Sequence, residues 1–381
     1  MNIILHDLDA HLTFAPLTLT RPVGSLRMGI FTNDQRWKNY FHNAEISFKT
    51  EEYLSGKFSC SQKEDNFWVN AKVVPHAGLV KFLEGLNSGD SLYVNNEFVA
   101  YRGSEFKSGK RVDRKLSDLL VLTSRWDLFG LNHAVLKQDF EWVKANKVGI
   151  QLDTSNQLIG SADQLFIEEG ARVQGASLNT TSGPIYVGKN AEIMEGSLVR
   201  GGLALCDHAV LKLGTKVYGA TTIGPYCKVG GEVNNVVFYG YSNKGHDGFV
   251  GNSVIGEWCN LGADTNTSNL KNNYGFVSTY DYKTNEFVKT DKQFMGLMMG
   301  DHSKSGINTM FNTATNVGVS TTVFGAGFPP KYIPNFAWGG FDTEKFQFEL
   351  ALVAANNMMS RRGLQLSKEE VNILTYLNGE L

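Results

Sequence analysis

The chain of 381 residues has almost no net charge, because 36 Lys and Arg residues stand against 38 Asp and Glu residues. Without a basic excess, binding to nucleic acid or to an acidic membrane surface is not expected. The sequence also lacks a run of about 18 apolar residues, which a membrane-spanning helix would need. Its first residues lack the charged and then apolar pattern of a signal peptide.

Cysteine is scarce as well, with four residues and no C-x-x-C spacing. Cys206, Cys227 and Cys259 fall in a repetitive stretch where a small apolar side chain is wanted. Packed, reduced thiols are therefore favoured over disulfides or a zinc site. Together with the absences above, this predicts a cytoplasmic protein, and the length suggests two or three domains.

An aliphatic residue returns at every sixth position between residues 187 and 229. This period fits neither a helix nor a single strand, and it is typical of a parallel β-helix in which each flat side of a coil directs one aliphatic side chain inward. The period continues with interruptions from Ile167 to Val323. It breaks at residues 230–254 and 264–298, where we predict loops that project from the corners of the coils. The uninterrupted anchors are Val187, Ile193, Val199, Leu205, Leu211, Val217, Ile223 and Val229.

Residues 1–150 alternate between strand and helix patterns instead. This predicts an α/β domain on a mostly parallel sheet, in which ligands bind at the carboxyl ends of the strands. The predicted strands cover residues 2–8, 67–74, 91–101 and 115–123, and the predicted helices cover residues 33–42, 75–86 and 131–145.

Two helices are predicted at the end of the chain. The first has an apolar stripe that includes Leu350, Val353 and Met358, and Ser367 to Glu370 form a capping box that opens the second. We therefore divide the chain into an α/β domain (1–150), a β-helix domain (151–335) and a C-terminal helical segment (336–381). The helices are expected to cap the β-helix or to pack on a neighbouring subunit.

The segment from Ala15 to Pro22 reads A-P-L-T-L-T-R-P. It resembles the P-L-T-x-T-R-P segment of sugar-1-phosphate nucleotidyltransferases, which implies a Rossmann-like fold and a phosphate-binding role for Arg21. That family has a glycine-rich loop before this segment and a Lys after it. Here the loop is absent and Val23 replaces the Lys. The alternative interpretation is a Pro-bounded loop with one exposed Arg.

Two more segments carry this resemblance. Residues 92–97 are similar to the family's central strand, which implies that Glu97 or Asn96 binds Mg²⁺. Residues 126–132, W-D-L-F-G-L-N, are similar to the W-D-L-x-x-x-N segment, which implies that Asp127 is the second metal ligand. In nucleotidyl transfer, Mg²⁺ neutralises the triphosphate. The resemblance thus implies an NTP, UTP in the family, as co-substrate.

A second resemblance lies in residues 245–269. The words G-H-D-G-F-V-G and I-G-E-W-C-N-L-G-A-D-T-N-T-S-N are similar to the acetyltransferase half of the bifunctional N-acetylglucosamine-1-phosphate uridylyltransferase and glucosamine-1-phosphate N-acetyltransferase family. The resemblance implies a left-handed β-helix, acetyl-CoA as co-substrate and a homotrimer. By position, His246 is the general base, Phe249 and Asn260 bind the sugar phosphate, and Asn269 lies near the acyl group. An imidazole that titrates near neutrality suits this role.

The sequence departs from that family where the phosphate is bound. The family's phosphate-binding Arg and Lys align with Tyr218 and approximately with Asn234. Lys216, Lys228 and Lys244 could replace them, or could be solvated charges. The acceptor is nevertheless expected to be an amino sugar or its phosphate.

Coenzyme A is expected in a groove between two coils. Small residues such as Gly300 and Ser305 would let its pantetheine arm approach the backbone, although plain packing explains them equally well. Lys331 is a candidate for contacting the cofactor's phosphates.

Three functional hypotheses fit these patterns. The first is an enzyme with both acetyl-transfer and nucleotidyl-transfer activities. The second is an enzyme in which only one half is active. The third is a trimeric, non-catalytic β-helix that binds a metabolite.

Overall fold

A computed structural model describes residues 1–340 and 344–379. Residues 341–343 and 380–381, part of the predicted C-terminal segment, lie outside the described residues. The chain divides into two compact units, Met1–Arg27 with Phe31–Arg125, and Met28–Ile30 with Trp126–Leu381. The domain boundaries drawn at residues 150 and 335 stay predictions.

The first unit is built on a six-stranded sheet. Its elements are β1 (Asn2–His6), α1 (Asn33–Tyr40), β2 (Glu45–Lys49), β3 (Asn66–Asn70), β4 (Val73–Val74), α2 (Ala77–Glu84), β5 (Asp90–Val94), β6 (Glu97–Gly103), β7 (Lys110–Arg114) and β8 (Leu120–Val121). The strand order is β2-β1-β3-β6-β5-β7. The two pairings of β6 are antiparallel and the other three are parallel, so the sheet is mixed. The predicted α/β fold is confirmed.

The prediction of one strand over residues 91–101 is wrong. β5 and β6 form an antiparallel hairpin, in which Val94 pairs with Glu97. The turn residues Asn95 and Asn96 have φ values of 51° and 69°. Asn tolerates this left-handed region and favours such two-residue turns. Asn95, Asn96 and Glu97 are three polar residues in succession, a turn signal that the prediction of one continuous strand overlooked.

The second unit contains a parallel β-helix with helices at both of its ends in sequence. Its elements are α3 (Asp127–Gly130), α4 (Asn132–Asn146), β9 (Gln157–Ile159), β10 (Leu165–Ile167), β11 (Arg172–Val173), β12 (Ser177–Asn179), β13 (Ile185–Val187), β14 (Glu192–Ile193), β15 (Leu198–Arg200), β16 (Leu203–Leu205), β17 (Val210–Leu211), β18 (Lys216–Tyr218), β19 (Thr221–Ile223), β20 (Lys228–Val229), β21 (Glu232–Gly240), β22 (Asn243–Lys244), β23 (Phe249–Glu257), β24 (Asn260–Leu261), β25 (Asn266–Thr267), β26 (Ser278–Asp281), β27 (Glu286–Lys289), β28 (Met298–Met299), β29 (Lys304–Ser305), β30 (Met310–Phe311), β31 (Asn316–Val317), β32 (Thr322–Val323), β33 (Tyr332–Ile333), β34 (Ala337–Trp338), β35 (Glu344–Lys345), α5 (Phe348–Ser360) and α6 (Lys368–Leu377).

The coils stack in three faces. The first face contains β9, β12, β15, β18 and the start of β21, and the second contains β10, β13, β16, β19 and the end of β21. The third face runs from β11 through β14, β17, β20, β22 and β24 to β34. Every anchor predicted from the six-residue period, from Ile167 to Val323, lies in one buried apolar cluster. The predicted β-helix is thereby confirmed.

The prediction of a projecting loop at residues 230–254 is wrong. The chain completes its coils there, because β21 and β23 each extend along two faces and pair with each other from Glu232 with Phe249 to Gly240 with Glu257. Each strand bends at an Asn with positive φ, Asn235 at 56° and Asn252 at 47°. The six-residue period breaks because the number of residues per coil changes, and not because a loop projects from the coil.

The second predicted insertion is present but shorter than residues 264–298. β25 still pairs with β30 as part of the coil. An isolated bridge between Leu270 and Phe294 closes the base of the insertion. Within it, β26 and β27 form an antiparallel hairpin.

Both C-terminal helices are present, and α6 begins with the predicted capping box of Ser367 and Glu370. The residues that α5 buries lie one position later in the chain than the predicted apolar stripe. The helix buries Ala351, Ala355 and Met359, whereas Leu350 and Val353 are about half exposed, at 51% and 53%. Small Ala side chains allow close packing, which a search for large apolar residues misses.

Across the described part of the chain, no helix combines the length and the apolar character that crossing a membrane requires.

Candidate functional site

His246 lies on a corner of the β-helix. β22 ends at Lys244 on the third face, and β23 begins at Phe249 on the first face. The four residues between them turn the chain from one face to the other. The side chain of His246 is exposed there. A corner on a rigid solenoid is a position where a reactive side chain can be held without being buried.

Lys244 is placed inside the coil, where an aliphatic anchor would be expected. It pairs with Val229 in the register of the third face and is only 1% exposed. Its ammonium donates hydrogen bonds to the backbone carbonyls of His246, at 2.6 Å, and Asp247, at 3.1 Å. Burial lowers the pKa of Lys244 from 10.5 to about 8. This location favours a role in holding the corner over the predicted direct contact with substrate.

His246 and Asn260 line one cavity of about 580 Å³. Asn260 lies on β24, and its backbone N–H donates to the carbonyl of Ser303. Tyr241 and Trp258 also line the cavity. The cavity therefore combines an imidazole, an amide and two aromatic rings on neighbouring coils.

The aromatic wall of this cavity belongs to a longer stack. His208, Tyr226, Tyr241 and Trp258 occupy equivalent corners of four successive coils, and their ring centroids are 4.6, 4.9 and 4.2 Å apart with planes within 13° of parallel. All four have φ between 53° and 60°, which is uncommon for aromatic residues. Ring stacking offsets part of the backbone cost, so this wall of the cavity is fixed by the fold.

Four cations line the same cavity, Lys212 and Lys228 from the third face and Arg361 and Arg362 from the end of α5. Burial, together with the charges of Arg362, Lys212 and Arg361, lowers the pKa of Lys228. Arg362 donates to the carbonyl of Tyr226 at 3.4 Å. The sequence singled out Lys228 alone, because the two arginines are distant in the chain and come together with it only through the fold.

Phe249 and Asn269 lie together beside Gly251, whereas Tyr218 lies two strands away, with β21 between them. A Cβ placed on Gly251 would lie 2.6 Å from the ring of Phe249 and 2.7 Å from the amide of Asn269. Asn269 donates to the side chain of Asn252 at 2.7 Å. The phenol of Tyr218 donates to Glu232, and this bond, with burial, raises the pKa of Tyr218 to about 12. Of the predicted substrate residues, His246 and Asn260 thus line one cavity, Phe249 and Asn269 lie together beside Gly251, and Tyr218 is in neither group.

Gly300 and Ser305 are used in the packing of the coils. A Cβ on Gly300 would lie 3.0 Å from the backbone of Gly318 in the next coil. The Ser305 hydroxyl lies 2.8 Å from that of Thr265, inside the β-helix, and Ser305 is 5% exposed. These positions favour packing over the predicted contact with coenzyme A.

Lys331 lines a different cavity of about 610 Å³ together with Lys271 and Asn312. Its ammonium donates to the carbonyl of Ser278 at 2.6 Å, at the base of the inserted hairpin. Burial and the charge of Lys271 lower the pKa of Lys331. Two cations in one cavity are compatible with the predicted phosphate contact.

In the first unit, Arg21 is 7% exposed, so the alternative of an exposed Arg in a plain loop is wrong. The sequence analysis missed Asp7, which follows β1. Its carboxylate accepts hydrogen bonds from the backbone N–H of Val23, at 3.1 Å, and from the hydroxyl of Thr50, at 2.6 Å. Burial raises the pKa of Asp7 to about 7. The Asp7 carboxylate therefore accepts a hydrogen bond from a backbone N–H group that lies close to Arg21 in sequence and could otherwise donate to a phosphate.

The predicted Mg²⁺ ligands are in different units. Glu97 follows the hairpin turn of the first unit with an exposed side chain. Asp127 belongs to α3 of the second unit, where it lines a cavity of about 390 Å³ with Asp291 and Lys292. Among the described residues, no group of three or more His, Cys, Asp or Glu side chains could hold a metal. The donors in each unit therefore do not fit a metal site formed by protein ligands alone.

Comparison with known proteins defines the class of the first part of the chain. Residues 3–148 match the family model described as sugar nucleotidyl transferase. A transferase is therefore confirmed at the level of family, as the sequence predicted.

The relatives point to a particular family. The chain is 23% identical over 195 residues to the bifunctional protein GlmU of Synechococcus elongatus and, equally, to that of a second Synechococcus strain. The match covers 48% of this chain and 38% of the relative. These matches confirm the resemblance to the bifunctional family. The chain thus spans well under two thirds of the curated relatives it matches.

Among solved structures, the chain is similar to an Arabidopsis UDP-N-acetylglucosamine acyltransferase. The identity is 12%, the match covers 57% of this chain and 78% of the other, and the TM-score is 0.23. Similarity at this level carries no functional conclusion.

Proposed function

We propose that the protein is a sugar-phosphate-modifying transferase whose β-helix transfers an acetyl group from acetyl-CoA to an amino sugar or its phosphate. The observation that carries this proposal is the cavity in which His246 and Asn260 meet. The ammonium of Lys244 is held by backbone carbonyls at this corner, whereas His246 is exposed. It is thus free to approach a ligand in this cavity.

In this proposal, His246 is the general base. The amine nitrogen of the acceptor attacks the thioester carbonyl, a C–N bond forms, the C–S bond breaks, and coenzyme A leaves as the thiolate. The imidazole of His246 takes the proton that the amine loses. Asn260 would orient the acceptor by hydrogen bonding, and Phe249 and Asn269 would bound the neighbouring side of the corner.

The test is acetyl transfer itself. Acetyl-CoA and a set of amino sugars, including glucosamine 1-phosphate, are incubated with the protein, and the released thiol is measured. His246→Ala should lower the rate at least a hundredfold, within the usual contribution of general acid or base catalysis. His42→Ala, an exposed histidine of the first unit, is the control and should leave the rate unchanged. Absence of turnover with any amino sugar would contradict the proposal.

A second candidate activity is nucleotidyl transfer from UTP to a sugar 1-phosphate with Mg²⁺, supported by the family match of residues 3–148. Release of pyrophosphate should depend on Arg21. If the unmutated protein releases none, the enzyme has one activity. If neither reaction occurs, the non-catalytic scaffold is favoured. A homotrimer is also proposed, and light scattering tests it.

A further inference from the structure

The cavity that holds His246 carries an unusual concentration of positive charge. Lys212 and Lys228 enter from the third face, and Arg361 and Arg362 enter from the end of α5. No Asp or Glu is among the described residues that line it. Glu192 is the acidic residue whose charge acts on Lys228, and Glu192 is already paired with Arg172 at 2.9 Å.

Like charges that share a cavity repel each other, and the charges of Arg362, Lys212 and Arg361 add to the effect of burial in lowering the pKa of Lys228. A bound anion would remove this cost. The guanidinium groups suit a phosphate best, because they can donate two parallel hydrogen bonds to its oxygens. Arg362 is already oriented by its bond to the carbonyl of Tyr226 and lies 6.0 Å from that ring, so little ordering would be needed on binding.

We propose that these four cations form a phosphate site beside His246, in which Arg361 and Arg362 of the C-terminal segment are specificity-determining residues. The site would take a phosphate ester of the ligand on which His246 acts. This inference rests on the proposed function of the cavity. It assigns a recognition role to the segment after α5, for which the sequence predicted only capping or subunit packing.

A phosphate ester could come from the acceptor or from coenzyme A, so the experiment has separate arms. Binding to the full chain is measured by calorimetry with glucosamine 1-phosphate, glucosamine, coenzyme A and 3′-dephospho-coenzyme A. The test variant carries Arg361→Gln and Arg362→Gln together. The control is Arg114→Gln, which removes an exposed arginine of β7 in the first unit, outside the cavity. Because all three arginines are exposed, the folded state should be preserved, and circular dichroism checks this.

The double variant should lose at least tenfold in affinity for one phosphorylated ligand and should bind glucosamine as before. Loss with glucosamine 1-phosphate assigns the site to the acceptor, whereas loss restricted to coenzyme A and dependent on its 3′-phosphate assigns it to the donor. Unchanged affinity for both phosphorylated ligands would overturn the inference. Measuring both binding and turnover distinguishes a failure of this inference from a failure of the proposed function. Phosphate-dependent binding without acetyl transfer contradicts only the proposed function, and acetyl transfer with unchanged binding in the variant contradicts only this inference.

Discussion

Replacing Lys244 by Met should separate the stability of the β-helix from its activity. Lys244 takes an anchor position beside Val229 and is 1% exposed. Its pKa is lowered from 10.5 to about 8. Because one pKa unit corresponds to about 1.4 kcal/mol, keeping the charge in the folded protein at neutral pH costs roughly 3 kcal/mol. Met has a similar volume and carries no charge, so it removes this cost without leaving a cavity.

The substitution also removes two hydrogen bonds to the carbonyls of His246 and Asp247. Bonds from a charged donor contribute about 1.5–3 kcal/mol each. Water can replace them in part, because His246 and Asp247 are exposed. The two effects nearly cancel. We expect the free energy of unfolding of Lys244→Met to lie within about 2 kcal/mol of the unmutated protein at pH 7.

The pH dependence gives an independent check. The folded pKa of Lys244 lies below the unfolded value, so the stability linked to this group is present above about pH 10.5 and is lost as the pH falls to about 8. As the pH rises from about 8 to about 10.5, the unmutated protein should therefore gain stability relative to Lys244→Met. Urea unfolding followed by circular dichroism measures the difference.

Acetyl transfer should respond differently from stability. In Lys244→Met, the corner loses the ammonium that fixes the backbone of His246. The kcat should therefore fall at least tenfold, with little change in KM. Lys345→Met is the control, because Lys345 also donates to a backbone carbonyl, that of Asn378 at 3.0 Å, outside the cavity. A folded Lys244→Met variant with full kcat would refute the positioning role. A loss of more than about 4 kcal/mol in stability would refute the energy balance above.

Three further predictions concern other parts of the chain. Asp7 has a folded pKa near 7 against an ordinary value of 3.8, so its contribution to stability is complete below about pH 4 and is lost as the pH rises to 7; Asp7→Asn should flatten this part of a thermal-unfolding profile. Ser367→Ala removes the side chain that accepts from the backbone of Glu370 and should destabilise α6 by about 1 kcal/mol, measured by hydrogen exchange of that helix. Phe311→Ala, at a fully buried anchor, should cost about 3–5 kcal/mol in urea unfolding, whereas exposed Met310→Ala should change it little.

Much of the β-helix could be predicted because its information is local and repeated. Each coil places one side chain per face into the core, so a single period identifies anchors such as Val199 and Val317. The hairpin of β5 and β6 was missed because its turn, Asn95 and Asn96, is only two residues long, so the two strands read as one run. The stack of aromatic side chains at the corners and the arginines after α5 were also missed. Their proximity depends on coils and helices that are distant in sequence.

The break in the six-residue period after Val229 has a different meaning from the one that the sequence suggested. A break in the period predicts an inserted segment, and such a segment is present after Thr267. At Lys244, however, the coil is complete, and a charged residue stands where the neighbouring coils have Val229 and Leu261. A buried lysine is costly in such a core and is retained here with its ammonium directed to the corner of His246. The proposed catalysis at that corner would explain why an anchor position holds a lysine whose ammonium fixes the backbone of one exposed histidine. If His246→Ala and Lys244→Met both leave acetyl transfer unchanged, that explanation fails, and the scaffold hypothesis becomes the better account of the same geometry.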